Sequence, residues 1–140
     1  ETESRLDYPS IMKKNKVHRK KGVSSAVAYS AVNTASSLHA RLIIASSFSG
    51  YTARVVSKFK PKADILGLSP LDRTLRKMQL LWGVRPIKVN EVNSTDQLLE
   101  DALVIAKNKE YVKEGDLLIL TAGVPAGVKS VTNMMKVVEV

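Results

Sequence analysis

"RLIIASSFSGYTARVVSKFKP", Arg41 to Pro61, is the stretch on which the fold turns. It opens with "RLIIAS", a short apolar run of the kind that fills a strand buried on both faces of a parallel sheet. It closes with helical spacing from Gly50 to Phe59, carried by Tyr51, Val55, Val56 and Phe59 and stopped by Pro61. Between the two lies a turn of serines, a phenylalanine and a glycine. Strand, polar turn and helix in this order are the first half of a strand–helix–strand unit.

The flanking segments extend the pattern. Upstream, "GVSSAVAYSAVNTASSL" sets Val23, Ala26, Val27, Ala31, Ala35 and Leu38 at spacings of three and four, predicting a helix with a face of mainly small residues. Downstream, "ADILGLS" (Ala63 to Ser69) predicts a second strand, and a helix follows near Pro70 with Leu75, Met78, Leu81 and Trp82 as its core residues. "VRPIKV" (Val84 to Val89) predicts a third. In "NSTDQLLEDALVIAKN", Ser94 stands at a helix start with Gln97 three residues on, the spacing of a capping box. After Gly115, "DLLILTAG" reads as a central strand and "NMMKVVEV" as the last. Such alternation predicts an α/β fold with a mostly parallel sheet and helices on both faces. The connection from Ala122 to Asn133 has no helical pattern, so the last strand is expected to run antiparallel.

Composition narrows the function classes. The chain has 140 residues, enough for one domain with a real core. Its hydrophobic share of 44% and charged share of 25% are those of a soluble globular protein, and no apolar run reaches membrane-spanning length. Cysteine is absent, which excludes disulfides, thiolate catalysis and zinc ribbons and suits a cytoplasmic setting. Two histidines offer little to a metal site. The net charge of +9 admits nucleic acid, acidic membranes or phosphorylated small molecules as partners. Much of it sits in "KKNKVHRKK", Lys13 to Lys21, which contains no acid and no aromatic residue. That favours a solvated connector over a nucleic-acid arm.

No catalytic constellation is legible. His18 lies in the basic run and His39 at a helix end, and Glu100 with Asp101 or Glu110 with Glu114 read as solvated helix faces. The turn is more informative. In an open parallel sheet, ligands bind beyond the carboxyl ends of the strands, where helix N-termini present unsatisfied N–H groups. Ser47, Ser49 and Thr52 add hydroxyls there, and Gly50 admits close backbone approach, making a phosphate cradle without a lysine. The alternative is that Ser49 only caps the helix. Neither a Walker A nor a GxGxxG pattern is present. A second glycine-rich segment, "TAGVPAGVKSVTN", could bring Lys129 and Ser130 to the same pocket, or serve only as a hairpin.

"SGYTARVVSKFKPKADILGLSP" resembles the pyruvate kinase pattern of a Ser/Thr-rich turn, "TAR" and "KxxP" ahead of a strand. "LLWGVRPI" and "GDLLILTAGVPAG…TNMMKVVEV" resemble later segments of that family, and "ETE…YP" resembles the passage that closes its catalytic barrel. The resemblance implies that residues 1–21 are a barrel remnant with a basic linker. Residues 22–140 would then be the C-terminal regulatory domain, a three-layer α/β/α sandwich on a five-stranded mixed sheet with its last strand antiparallel. It implies a homotetramer and a phosphorylated effector, such as a sugar phosphate or AMP. The activator's phosphate loop aligns with Ser47, Phe48, Ser49, Gly50, Tyr51 and Thr52, and the effector loop with Val124 to Ser130. Leu98 is the nearest position to an arginine that holds the second phosphate in members activated by fructose 1,6-bisphosphate. The barrel's catalytic lysine and its sites for magnesium and potassium would lie upstream of Glu1, leaving no cofactor and no kinase activity in this chain. Two other readings remain open: a free-standing module that binds phosphorylated metabolites or nucleic acid through a basic arm, and a scaffold with no effector.

Overall fold

The computed structural model describes residues 10, 22–124 and 131–140. Among these, the chain runs α1 (Val23–Leu38), β1 (Leu42–Ser46), α2 (Tyr51–Lys58), β2 (Asp64–Ser69), α3 (Asp72–Met78), β3 (Val84–Lys88), α4 (Thr95–Asn108), β4 (Leu117–Ala122) and β5 (Met134–Glu139). The expected alternation is therefore present in full. The basic run Lys13–Lys21 and the barrel-like "ETE…YP" lie outside the described residues.

One five-stranded sheet has the order β3-β2-β1-β4-β5. Strand β1 pairs in parallel with β2 on one edge and β4 on the other, placing Ile44 opposite Leu66 and Leu120. Strand β3 adds in parallel beyond β2, and β5 closes the other side antiparallel to β4, as expected of a connection with no crossover helix. Alternate residues of each strand face opposite sides, so two cores form. Ile43, Ala45, Ile65 and Ile119 meet α1, α2 and Met78 of α3. Leu42, Ile44, Leu66, Leu68, Leu118 and Leu120 meet Ala102 and Ala106 of α4 on the opposite face. The result is the α/β/α sandwich that the alternation predicts.

Helix α1 differs from expectation in its rotation. Its buried residues are Ser24, Ser25, Ala28, Ala31, Val32 and Ala35, while Val23 and Leu38 are exposed. The helix lies close to its neighbours, and close approach selects alanine and serine over the larger valine and leucine. A hydrophobicity-based face therefore misses by part of a turn. Tyr29 on its margin meets Phe59 edge to face at 5.6 Å. Helix α3 is shorter than the pattern implied. Met78 is buried, but its buried companion is Thr74, and Leu75, Leu81 and Trp82 are only partly covered. At α4, Ser94 Oγ accepts the Gln97 N–H at 3.1 Å as a cap should. The Gln97 side chain donates onward to Asp101 at 2.8 Å.

Gly67 marks where β2 and the α-helical layer come closest. A Cβ there would lie 2.6 Å from Met78 Sδ and 3.0 Å from Val84 Cγ1. Gly67→Ala should lower stability by about 1–3 kcal/mol through overpacking, read as a lower denaturation midpoint by circular dichroism. Met78→Ala, which costs stability on its own, should combine with Gly67→Ala to a loss smaller than the sum of the two. Additive losses would show that the two positions do not compete for space.

Candidate functional site

Strand β1 is followed by β2 on one side, whereas β4 lies on its other side and is reached only after β3 and α4. The connections leaving β1 and β4 therefore part at their adjacent carboxyl ends, the switch point where open α/β sheets bind ligands. The serine-glycine turn is the connection from β1.

Its backbone is held at each step. The Ser47 N–H donates to the Leu68 carbonyl at 3.0 Å, carrying the β1–β2 ladder one residue beyond the strand. Ser47 Oγ accepts the Gly50 N–H at 3.0 Å, and Ser49 Oγ accepts the Tyr51 N–H at 3.3 Å. From α3, Thr74 Oγ1 donates to the Phe48 carbonyl at 2.6 Å. Gly50, not Ser49, is the residue at the helix boundary. Its φ of 82° is left-handed, and a Cβ would meet Thr74 Cγ2 at 3.3 Å and Met78 Cγ at 3.6 Å. Glycine is thus required by backbone and by packing against α3. Its free side faces protein, which changes the reason for its presence from ligand approach to internal fit.

Thr52 is 3% exposed, and its Oγ1 lies 2.7 Å from Oγ1 of Thr132, itself 1% exposed. Thr132 belongs to the lead into β5, so this bond joins the two connections that part at the switch point. Beside it, the Asn133 side chain grips Val124 at both ends of its peptide unit. Oδ1 accepts the Val124 N–H at 2.8 Å, and Nδ2 donates to the Val124 carbonyl at 2.9 Å. The Asn133 N–H reaches the Ala122 carbonyl at 3.1 Å.

Of the residues singled out from sequence, Ser47, Ser49 and Gly50 lie in the turn, and Tyr51 and Thr52 open α2. Lys129 and Ser130 lie outside the described residues; of the residues that flank them, Thr132 bonds Thr52 and Asn133 clasps Val124. Leu98 is 4% exposed in the core under α4. Sequence reasoning missed Thr74 and Thr132, whose roles depend on contacts remote in the chain. It also missed Arg54, which was legible: a cation three residues after Tyr51 shares its helix face. The Arg54 guanidinium stacks over the Tyr51 ring at 5.1 Å.

Nearby, Lys88 Nζ lies 2.9 Å from Asp72 Oδ1, tying the start of α3 to the end of β3. The hydrogen bond and charge of Lys88 hold the Asp72 carboxyl below its ordinary range. Both side chains are well exposed, at 60% and 65%, so the pair is screened and its contribution small.

The architecture is an α/β/α sandwich with a serine-glycine turn at its switch point, and not a catalytic barrel. Comparison with known proteins agrees. The family model for the pyruvate kinase alpha/beta domain matches residues 25–138. The chain is 36% identical over 137 residues to a pyruvate kinase of Clostridium acetobutylicum, covering 98% of this chain and 29% of that protein. A pyruvate kinase of Lactobacillus delbrueckii subsp. bulgaricus is 39% identical over 96% of this chain and 23% of its own length. Among solved structures, a pyruvate kinase from Cryptosporidium parvum superposes with a TM-score of 0.87 at 29% identity, covering 98% of this chain and 27% of that one. This chain belongs to the pyruvate kinase family and forms its C-terminal α/β domain. It spans about a quarter of the length of the relatives it matches.

Two outcomes follow from the geometry. Gly50→Ala should cost roughly 1–3 kcal/mol, combining a left-handed residue with a Cβ against Thr74, measurable by urea denaturation. An unchanged midpoint would mean that the turn relaxes freely. For Asp72, the folded-state pKa is lowered, so its contribution exists above the ordinary carboxylate range and is lost as pH falls through the lowered value. Asp72→Asn should therefore melt slightly below the parent at neutral pH, with the gap closing in acid and in high salt.

Proposed function

We propose that this chain is the regulatory domain of a pyruvate kinase. Its serine-glycine turn takes the phosphate of a small effector, a sugar monophosphate or AMP, and it contributes to contacts within a tetramer. One observation carries the effector reading. Ser47 Oγ and Ser49 Oγ each already accept a backbone N–H. A hydroxyl that accepts in this way still has its own proton to give. The first-turn N–H groups of Thr52 and Ala53 have no acceptor within the helix. Donors without acceptors nearby are what a phosphate needs. Arg54 supplies charge at the same helix end, and the ion pairs Arg85–Asp64 and Lys88–Asp72 leave it without an acidic partner among the described residues.

Burial of Leu98 favours a monophosphate over a bisphosphate, since that position gives the second phosphate no cation. For the assembly role, the support is the outer edge of β5, which has no strand neighbour among the described residues and leaves Val137 41% exposed. Phosphoryl transfer from phosphoenolpyruvate to ADP, with its magnesium and potassium, belongs in this reading to the rest of a parent enzyme in the cytoplasm. The described residues do not fit a metal centre, for no three His, Asp or Glu side chains gather among them. Nor is any of their helices long and apolar enough to cross a membrane. Regulation would act by population shift: an effector that binds one subunit packing better biases the assembly toward it.

Thermal unfolding against phosphorylated metabolites and inorganic phosphate tests the effector reading. A ligand at about 100 times its dissociation constant adds roughly 2.7 kcal/mol. Ser49→Ala should reduce the ligand-induced shift while barely moving the melting point without ligand, because Ser49 is exposed. Thr52→Ala removes a buried hydrogen bond and should lower both. No shift with any compound, in a folded chain, would leave the scaffold reading in its place.

A further inference from the structure

We propose that Thr132 is a positioning residue that couples the state of the serine-glycine turn to the two ends of the loop between Val124 and Asn133. The link to a ligand rests on the phosphate reading above. The coupling itself rests on two contacts independent of it. Thr52 and Thr132 are buried, are 80 residues apart in the chain, and share a 2.7 Å hydroxyl–hydroxyl bond. The next residue, Asn133, closes the loop on Val124 through both its amide nitrogen and its amide oxygen. Turn, β5 lead and loop base are therefore joined by consecutive bonds, with no free hinge between Thr132 and the clasp.

A direction follows from hydroxyl chemistry. Each hydroxyl has one proton and can accept as well as donate. With no ligand, either threonine can be the donor. An anion at the turn accepts the Thr52 proton, and the shared bond then has only one polarity: Thr132 donates to Thr52, which donates to the anion. The Thr132 bond thus survives ligation and is polarised by it, the ordering that strengthens a hydrogen-bond chain. A valine at 132 has nearly the same shape and no proton to give, so it breaks this chain with little change of packing. Serine keeps the proton.

Amide hydrogen exchange, resolved by residue in the full chain, reads the coupling directly. The reporter is the Val124 amide, referred to the core amides of Ile44 and Leu120 so that global loss of stability cancels. Thr132→Val should speed Val124 exchange roughly tenfold, as expected for loss of one net hydrogen bond. Thr52→Val, which removes the hydroxyl bonded to Thr132, should do the same, and the double variant should do no more than either single one. Thr132→Ser should restore the parental rate. Unchanged Val124 exchange in Thr52→Val overturns the coupling.

Inorganic phosphate and glucose 6-phosphate then serve as probes. Either should slow Val124 exchange in the parent and in Thr132→Ser, and not in Thr132→Val. Equal slowing in Thr132→Val overturns the proposal, because the signal then travels by another path. A parent insensitive to both probes, with the Thr52→Val effect intact, removes the phosphate reading and leaves the coupling standing.

Discussion

Strand β1 is the constraint from which the other features follow. It is hydrogen-bonded along both edges and covered on both faces, with Leu42, Ile43, Ile44 and Ala45 all buried. A strand so placed can carry a buried polar side chain only where it has an internal partner, as Thr121 of β4 has in the Ile44 carbonyl, so polar residues gather at the strand's end. Ser46, Ser47 and Ser49 appear there at once. Parallel pairing on both sides also brings the ends of β2 and β4 level with that exit. The turn is polar because it leaves the buried strand, and β2 and α3 both hold its backbone.

How far the sequence discloses this depends on the range of the interaction. Strand order along the chain, the antiparallel β5 and the Ser94 cap are local matters of period, loop length and spacing, and they are legible. The serine turn is legible as a turn for the same reason: hydroxyls at a strand–helix junction accept backbone N–H groups that the helix leaves open. The buried side of α1 is not, because a helix at close approach replaces valine with serine and alanine, reversing the usual hydrophobic signal. Thr74 and Thr132 are also silent in the sequence. A threonine that holds a carbonyl 26 residues away, or a hydroxyl 80 residues away, looks like any other threonine.

Most of the turn's polar groups do double duty. Its serine oxygens satisfy backbone donors, its Phe48 carbonyl is satisfied from α3, and among the described residues no buried side-chain nitrogen or oxygen lacks a partner. The turn's hydrogen bonds are thus met inside the protein. The turn is complete as structure, its conformation held by its own hydroxyls and by α3.

The Asn133 clasp has an evolutionary consequence. Because Val124 and Asn133 are fastened to each other, and Asn133 to Ala122, the sheet does not depend on what the chain does between them. The entropic cost of lengthening a closed loop rises only by about 0.6 kcal/mol per doubling. Apart from Thr132, which is held by Thr52, the segment is therefore a replaceable cassette: insertions, deletions and changes of composition can be sampled there without unpairing β4 from β5. One scaffold can in this way accept different connections between the same two strands, and a lineage can rewrite that stretch without having to refold the domain.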